Sequence, residues 1–145
     1  NDLPATPRKP IVAYWHHPYF SRANHLGEPK MKPLWQALEE QGPALLFCGH
    51  NHVYERFPPL DANGNKVPEV KGVQQFVISP GGTAPVKGES PKATGPASVK
   101  FHGGAQHVGF FTLKPGGAFS YSIASVNSQG ATAEVDHGIG IISRP

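Results

Sequence analysis

The sequence predicts a mixed α/β (α+β) fold, in which one βαβ unit over residues 10–57 is followed by antiparallel strands over residues 73–137. Two short apolar runs enclose a segment whose apolar residues recur at helical spacing, as a βαβ unit requires. Later segments alternate apolar and small polar residues, which is typical of strands with one buried face. The 145-residue chain is long enough for about one domain, and its 17 Gly and 16 Pro favour short elements joined by turns.

The first half can be divided into five segments. Residues 1–9 are predicted to be a surface arm, and the apolar run at 10–15 a buried strand. Residues 16–29 carry Pro, Gly, Asn and Ser where a helix would not tolerate them, so they are predicted to be a loop. Residues 30–42 are predicted to be a helix that ends at Gly-Pro, and residues 44–49 a second strand. The predicted apolar face of the helix consists of Met31, Leu34, Trp35 and Leu38.

The two strands of this unit should be parallel and covered on both faces, because a helix connects them. In open α/β sheets, ligands bind beyond the carboxyl ends of the strands. His16 directly follows the first strand, and His50 follows the second after Gly49. The topology therefore predicts that both histidines lie at the same edge of the sheet.

After residue 57 the chain contains more turns and shorter strands. Asn63-Gly64 is a turn signal, and residues 80–97 form a long loop without periodicity. In one later strand Phe119, Tyr121 and Ile123 alternate with small residues, which predicts that these three side chains are buried. The strands predicted in this half are residues 73–79, 107–113, 118–126 and 131–137.

Composition argues against several classes of function. The net charge is +3 and the 13 Lys and Arg residues form no run of five or six like charges, which does not indicate a nucleic-acid partner. No apolar stretch approaches the roughly 18 residues that a membrane helix needs. Cys48 is the only cysteine, so no intrachain disulfide can form, and its apolar surroundings predict a buried, unreactive thiol.

The histidines are the residues most indicative of function. Neutral imidazole is a common ligand of zinc and related transition metals. His50 and His52 are separated by one residue at the end of a predicted strand, so both rings can point to one side. With His16 they would provide three nitrogen ligands at one edge of the sheet. The alternative for each histidine alone is a solvated loop residue.

Two motifs resemble those of a known family. The stretch GHNHVYER at 49–56 resembles the Gly-His-x-His motif of calcineurin-like metallophosphoesterases, and its Tyr-x-Arg tail resembles the purple-acid-phosphatase branch. The stretch AYWHHPYFS at 13–21 resembles the upstream motif of that family, a strand that ends in His-x-Pro. The resemblance is specific over 10–57 and extends to 73–137 only as a pattern of strands. It implies a two-sheet sandwich, of which this chain would form the C-terminal half.

The resemblance also implies an activity and a set of site residues. The activity is metal-dependent hydrolysis of phosphoric esters, either monoesters or diesters, as in the acid phosphatases. His16 and His50 would bind one ion of a dinuclear Fe, Zn or Mn centre, and His52 the other. His25 would contact the substrate phosphate or protonate the leaving group. His17 stands at a variable position of the motif, and no ligand role is predicted for it.

Some motifs that the resemblance requires are missing from the sequence. The family supplies bridging and terminal ligands from Asp-x-His, Gly-Asp-x-x-Asp and Gly-Asn-His motifs, and this chain contains none of them. Residues 1–145 are therefore expected to be the C-terminal part of one domain, inactive alone, with the N-terminal half as partner. Secretion or a periplasmic location is an expectation by analogy with the family.

Two other functions remain open from the sequence. His16, His50 and His52 could hold a single zinc ion with an open water position, as in mononuclear hydrolases. Alternatively, the chain could be a non-catalytic, β-rich binding module whose histidines have no common role.

Four further positions carry predictions of their own. Arg56 is predicted to be structural rather than a phosphate contact. Gly82 and Thr83 either direct backbone N–H groups at an anion or form a plain turn, which the sequence favours. His107 is predicted to have a packing or supporting role.

Overall fold

A computed structural model describes residues 9–86 and 90–143, which form two β-sheets and one α-helix in a mixed α/β arrangement. Residues 1–8 of the predicted surface arm lie outside the described residues. The elements are β1 (Ile11–Trp15), a 3-10 turn (Pro29–Met31), α1 (Lys32–Gln41), β2 (Ala44–Cys48), β3 (Tyr54–Arg56), β4 (Val73–Ile78), β5 (Lys100–His102), β6 (Gln106–Leu113), β7 (Ala118–Val126) and β8 (Thr132–Ile141).

The first sheet has the strand order β1-β2-β4-β3-β5. Strands β1 and β2 are parallel, with Trp15 opposite Cys48, which confirms the predicted βαβ unit. Strand β4 is parallel to β2, so the prediction that all strands over 73–137 are antiparallel is wrong. The local pattern of β4 identifies a strand but not its neighbour, and its direction follows from the connection that returns it beside β2.

Helix α1 covers one face of the first sheet. Trp35 is fully buried there, and Leu38 packs against the same apolar cluster. Leu34 is 49% exposed, so the predicted apolar face is wrong at that position. The helix ends at Gly42, whose φ of 120° few other residues adopt and whose N–H bonds to the carbonyls of Leu38 and Glu39. None of the helical segments that the structure describes is long and apolar enough to cross a bilayer.

The second sheet consists of β6, β7 and β8 in antiparallel order, which confirms the antiparallel strands predicted over residues 107–137. As predicted, Phe119, Tyr121 and Ile123 are buried, and they pack against the first sheet in one apolar cluster with Leu45 and Phe76. Strand β8 continues to Ile141, beyond the predicted end at 137. The prediction ended too early because the glycines in this segment interrupt the apolar alternation of a strand. Gly140 provides space for the Phe119 ring, since a Cβ at position 140 would lie 2.5 Å from it.

Strand β1 forms an edge of the first sheet and leaves one face uncovered. Val12 is 41% and Tyr14 is 84% exposed on that face. The prediction that both strands of the βαβ unit are covered on both faces is therefore wrong for β1. It holds for β2, where four of five residues are buried.

Candidate metal centre

The site begins where β1 and β2 end side by side. Beyond the paired Trp15 and Cys48, the N–H of Gly49 donates a hydrogen bond to the carbonyl of His16 at 3.1 Å. This bond extends the parallel pairing by one residue on each strand. The structure thus brings His16 and His50 to the same edge of the sheet, as their places in the sequence predict.

The backbone of His50 has an unusual conformation. Its φ is 65°, in the left-handed region, and it is the one non-glycine residue of the described chain with a positive φ. The turn is closed by a hydrogen bond from the N–H of Asn51 to the carbonyl of Gly49 at 2.8 Å. A left-handed conformation costs a residue with a Cβ about 1–2 kcal/mol, and such positions cluster at functional sites.

Three imidazole rings lie close together at this edge. The ring centroids are 5.2 Å apart for His16 and His50, 4.3 Å for His17 and His50, and 4.8 Å for His16 and His17. One ligand atom from each ring lies within 4.8 Å of the other two. Zinc–nitrogen bonds in a tetrahedral site would place these nitrogens about 3.4 Å apart, so binding of one ion would draw the three rings closer together.

His17 is the member of this group that sequence reasoning missed. No ligand role was predicted for it because the motif leaves its position variable. Its place directly after His16 was the available signal, but neighbouring residues often point to opposite sides, and only the loop geometry directs both rings toward His50.

His25 and His52 lie in the cavity beside this group. The cavity has a volume of about 470 Å³. His25 is exposed, and its ring centroid is 5.2 Å from that of His50. The residues that line the cavity are His16, His25, Gly49, His50, His52, Ile78, Ser79, Pro80, Gly81 and Thr83. The four histidines predicted to be metal ligands or catalytic therefore share one cavity. The ligand role of His52 and the catalytic role of His25 remain predictions.

The surroundings of His50 favour its neutral form. Burial lowers the pKa of His50, and the neighbouring His17, His16, His25 and His52 lower it further. His50 is therefore neutral at neutral pH and keeps a nitrogen lone pair for a ligand. No carboxylate is among the described residues that line the cavity, so the histidine nitrogens are its strongest candidate ligands. Such a donor set fits zinc or iron and does not suit calcium or magnesium.

A buried network joins the two loops that carry the histidines. Glu55 is fully buried and accepts hydrogen bonds from the Ser21 hydroxyl at 2.8 Å and from the N–H of Arg22. The Asn51 Nδ2 donates to the Ser21 Oγ at 2.7 Å. The Oδ1 of Asn51 is buried and finds no donor among the described residues. These hydrogen bonds connect the loop that carries His16 and His25 to the loop that carries His50 and His52. The sequence did not predict this network, because its only local sign was an acidic residue in a short strand.

Arg56 has a structural role, as predicted, although its partner was not foreseen. Its guanidinium forms a two-point contact with the carboxylate of Asp136 on β8, with the shorter distance 2.7 Å. The Tyr54 hydroxyl donates to the same carboxylate at 2.6 Å. Burial alone would raise the pKa of Asp136, but the hydrogen bonds from Arg56 and Tyr54 outweigh it and hold the pKa below its ordinary value. These contacts join the two sheets.

Cys48 is buried just before the site and has no disulfide partner. Burial raises the pKa of its thiol well above the ordinary value. The thiol is therefore protonated at neutral pH, which confirms the prediction of an unreactive cysteine.

Comparison with known protein families and with curated proteins identifies no relative. No model of a known protein family matches the chain. No curated protein matches it significantly. The function therefore has to be inferred from the chemistry of the site.

Proposed function

We propose that this chain carries the histidine ligands of a metal-dependent phosphoric ester hydrolase, acting on phosphomonoesters or phosphodiesters. The observation that carries the proposal is the group of His16, His17 and His50, whose ligand atoms lie within 4.8 Å of one another. The resemblance of the 13–21 and 49–56 motifs to those of calcineurin-like phosphoesterases supports the choice of substrate.

The proposed centre holds Fe, Zn or Mn. His16, His17 and His50 would bind one ion, and His52, which lines the cavity with His16 and His50, would bind a second. When bound, such ions make a coordinated water a strong nucleophile at neutral pH and stabilise the charge on the phosphate oxygens. The backbone turn at His50 and the buried Glu55 network hold the ligands in position for this task.

His25 is proposed to act on the substrate directly. It is exposed to the cavity, and its ring lies 5.2 Å from that of His50. A histidine at this distance can donate a hydrogen bond to a phosphate oxygen, or a proton to the leaving oxygen, without being a metal ligand.

The second ion needs a partner segment. Among the described residues that line the cavity there is no carboxylate that could bridge two ions. We therefore place the missing ligands on the N-terminal half of the same domain, beside the uncovered edge strand β1. The exposed Tyr14 on β1 supports this, because an unpaired edge strand with apolar side chains is an available surface for another strand. The chain alone should show little or no activity.

A second candidate is a mononuclear zinc hydrolase. The three-histidine group favours it, since three nitrogen ligands and one water complete a tetrahedral catalytic site. The two candidates differ in stoichiometry. A mononuclear enzyme binds one ion and is active as the isolated chain, whereas a dinuclear enzyme binds two ions and is active only with the partner segment.

Hydrolysis of 4-nitrophenyl phosphate, a monoester, and of bis(4-nitrophenyl) phosphate, a diester, in the presence of zinc, manganese or iron tests the proposal. The assay should compare the chain alone with a longer polypeptide that includes the preceding segment. We expect turnover only from the longer form, and we expect His25→Ala to lower kcat by about a hundredfold or more while metal content is unchanged. The exposed His137, which pairs with Glu134, provides the control variant His137→Ala. Absence of turnover from the longer form with all three metals would refute the proposal.

A further inference from the structure

Part of the wall of the cavity is a loop of Ser79, Pro80, Gly81 and Thr83 at the end of β4. Its first residue is tied to the histidine loop, because the N–H of Ser79 donates to the carbonyl of Val53 at 3.2 Å. The loop, which we call the 79–83 wall, therefore lies where it limits the space beside the proposed metal centre.

Gln106 holds the far end of this wall. Its Oε1 accepts a hydrogen bond from the N–H of Gly82 at 2.9 Å, and its Nε2 donates to the carbonyl of Thr83 at 3.0 Å. One side-chain amide thus holds two peptide groups of the loop, one through the N–H of Gly82 and the other through the carbonyl of Thr83. Because the N–H of Gly82 is engaged in this way, it is not available to an anion, in agreement with the favoured prediction of a plain turn.

His107 holds the near end of the wall. Its Nδ1 lies 2.7 Å from the carbonyl oxygen of Ser79, and its Nε2 lies 2.8 Å from the Nδ1 of His102. A carbonyl oxygen can only accept, so Nδ1 of His107 carries the proton and its Nε2 accepts from His102. Burial lowers the pKa of both histidines, in agreement with two neutral rings in this order. The prediction of a supporting role for His107 is confirmed.

The two holding residues are consecutive at the start of β6. Side chains of consecutive strand residues point to opposite faces, which lets Gln106 reach the outer end of the wall while His107 is 7% exposed beneath it. Both residues are paired with β7, so the second sheet holds a loop that belongs to the first. Four hydrogen bonds, including the one to His102, depend on this pair of side chains.

We propose that Gln106 and His107 are positioning residues that fix the distance between the 79–83 wall and the histidines, and thereby limit the size of the phosphate ester that the cavity accepts. This inference rests on the proposed phosphoesterase function. A purely structural role, in which the pair only joins the two sheets, would affect stability without changing which ligands bind.

Two substitutions at each position separate these roles. Gln106→Leu removes both contacts with the loop at similar volume, and Gln106→Glu keeps the acceptor for Gly82 but loses the donor to Thr83. His107→Leu removes both of its hydrogen bonds, whereas His107→Asn keeps a donor near the position of Nδ1 and should act as the conservative rescue. Gln129→Leu, in the exposed turn between β7 and β8, is the matched control.

The first measurement needs no metal. We expect nitrogen chemical shifts to show the Nδ1–H tautomer for His102 and His107, and hydrogen exchange at Gly82 to accelerate about tenfold or more in Gln106→Leu. Amide exchange in β6 and β7 should remain unchanged, which establishes that the variant is folded. Equal exchange at Gly82 in the wild type and in both Gln106 variants would overturn the proposed positioning.

The second measurement compares inorganic phosphate with phenylphosphonate as ligands of the zinc-loaded longer polypeptide that includes the preceding segment. We expect the affinity ratio of the two probes to change about fivefold or more in Gln106→Leu and His107→Leu, and to remain near that of the wild type in His107→Asn and Gln129→Leu. A constant ratio in all variants, with phosphate still bound, would overturn the size-limiting role and leave the proposed function intact. Failure of the wild type to bind either probe would contradict the proposed function itself, and the size-limiting role with it.

Discussion

The backbone N–H of Gly49 donates a hydrogen bond to the carbonyl of His16 across 3.1 Å, and this bond joins the ends of β1 and β2 one residue before His50. The positions of two proposed ligands are therefore fixed by sheet pairing rather than by a bound ion. A site held in this way should not need the metal to form, because the ordering of its ligands accompanies folding of the sheet.

The first prediction concerns the third nitrogen ligand. His17→Ala should weaken binding of the first zinc ion about a hundredfold or more, because His17 completes the group with His16 and His50. His52→Ala should leave that ion bound and abolish binding of a second ion when the partner segment is present. Isothermal titration with zinc measures both constants.

The same titration can contradict the assignment of His17 as the third ligand. If His52→Ala weakened binding of the first zinc ion and His17→Ala did not, the third ligand of that ion would be His52 rather than His17. His137→Ala, which changes an exposed histidine on β8, should leave every constant unchanged.

The second prediction concerns the left-handed backbone of His50. With φ at 65°, any residue with a Cβ is strained there and glycine is not. The metal-free His50→Gly variant should therefore be more stable than His50→Ala by about 1 kcal/mol. Urea unfolding provides the measurement. The same pair of substitutions at His137, which lies in β8, should give the opposite order, and the same order at both positions would argue against the strained turn.

The third prediction concerns how the contribution of the buried Glu55 to the free energy of unfolding depends on pH. Burial raises the pKa of Glu55 above its ordinary value of 4.5, although hydrogen bonds from Ser21 and Arg22 oppose this effect. A carboxyl group whose pKa is raised by folding contributes stability that is fully present below the unfolded pKa and is lost as pH rises through the folded pKa. The free energy of unfolding of the wild type relative to Glu55→Gln should therefore fall as pH increases above 4.5. A difference that grows with pH would show that the hydrogen bonds outweigh burial.

The fourth prediction concerns the contact between the sheets at Asp136. Asp136→Asn should lower the free energy of unfolding by about 2 kcal/mol at neutral pH, because it removes the charged acceptor of Arg56 and Tyr54. Since folding lowers the pKa of Asp136 from its ordinary 3.8, this difference should be present above pH 3.8 and disappear as pH falls through the folded pKa. Denaturation of both proteins over an acid series tests this. Zinc affinity should be unaffected, since Asp136 is not among the residues of the cavity.

Much of the first half of the fold could be predicted from local patterns. The apolar runs of β1 and β2 and the spacing of Trp35 and Leu38 on α1 each identify an element within a few residues. The helix between two strands then determines that they are parallel, which in turn brings His16 and His50 together. In this part of the chain, the local apolar pattern and the helical connection between the strands agree, so the sequence was sufficient to predict the fold.

The remaining features depend on contacts between distant parts of the chain. Strand β3 has only three residues, and the buried Glu55 among them contradicts any simple hydrophobic pattern. Glu55 can be buried there because Ser21 and Arg22, more than thirty residues earlier, provide its hydrogen bonds. His17 joins the ligand group for a similar reason, since its orientation is set by the loop and not by its neighbours in sequence.

Zinc binding by the isolated chain and by the His16→Ala/His50→Ala double variant tests the central claim most directly. Metal content after dialysis should be about one zinc equivalent for the wild type, and cobalt in its place should give the intense visible bands of a tetrahedral site. The double variant should remain folded by circular dichroism and retain no metal. Equal zinc content in the two proteins, or none in the wild type, would contradict the claim that these strand ends form a metal centre.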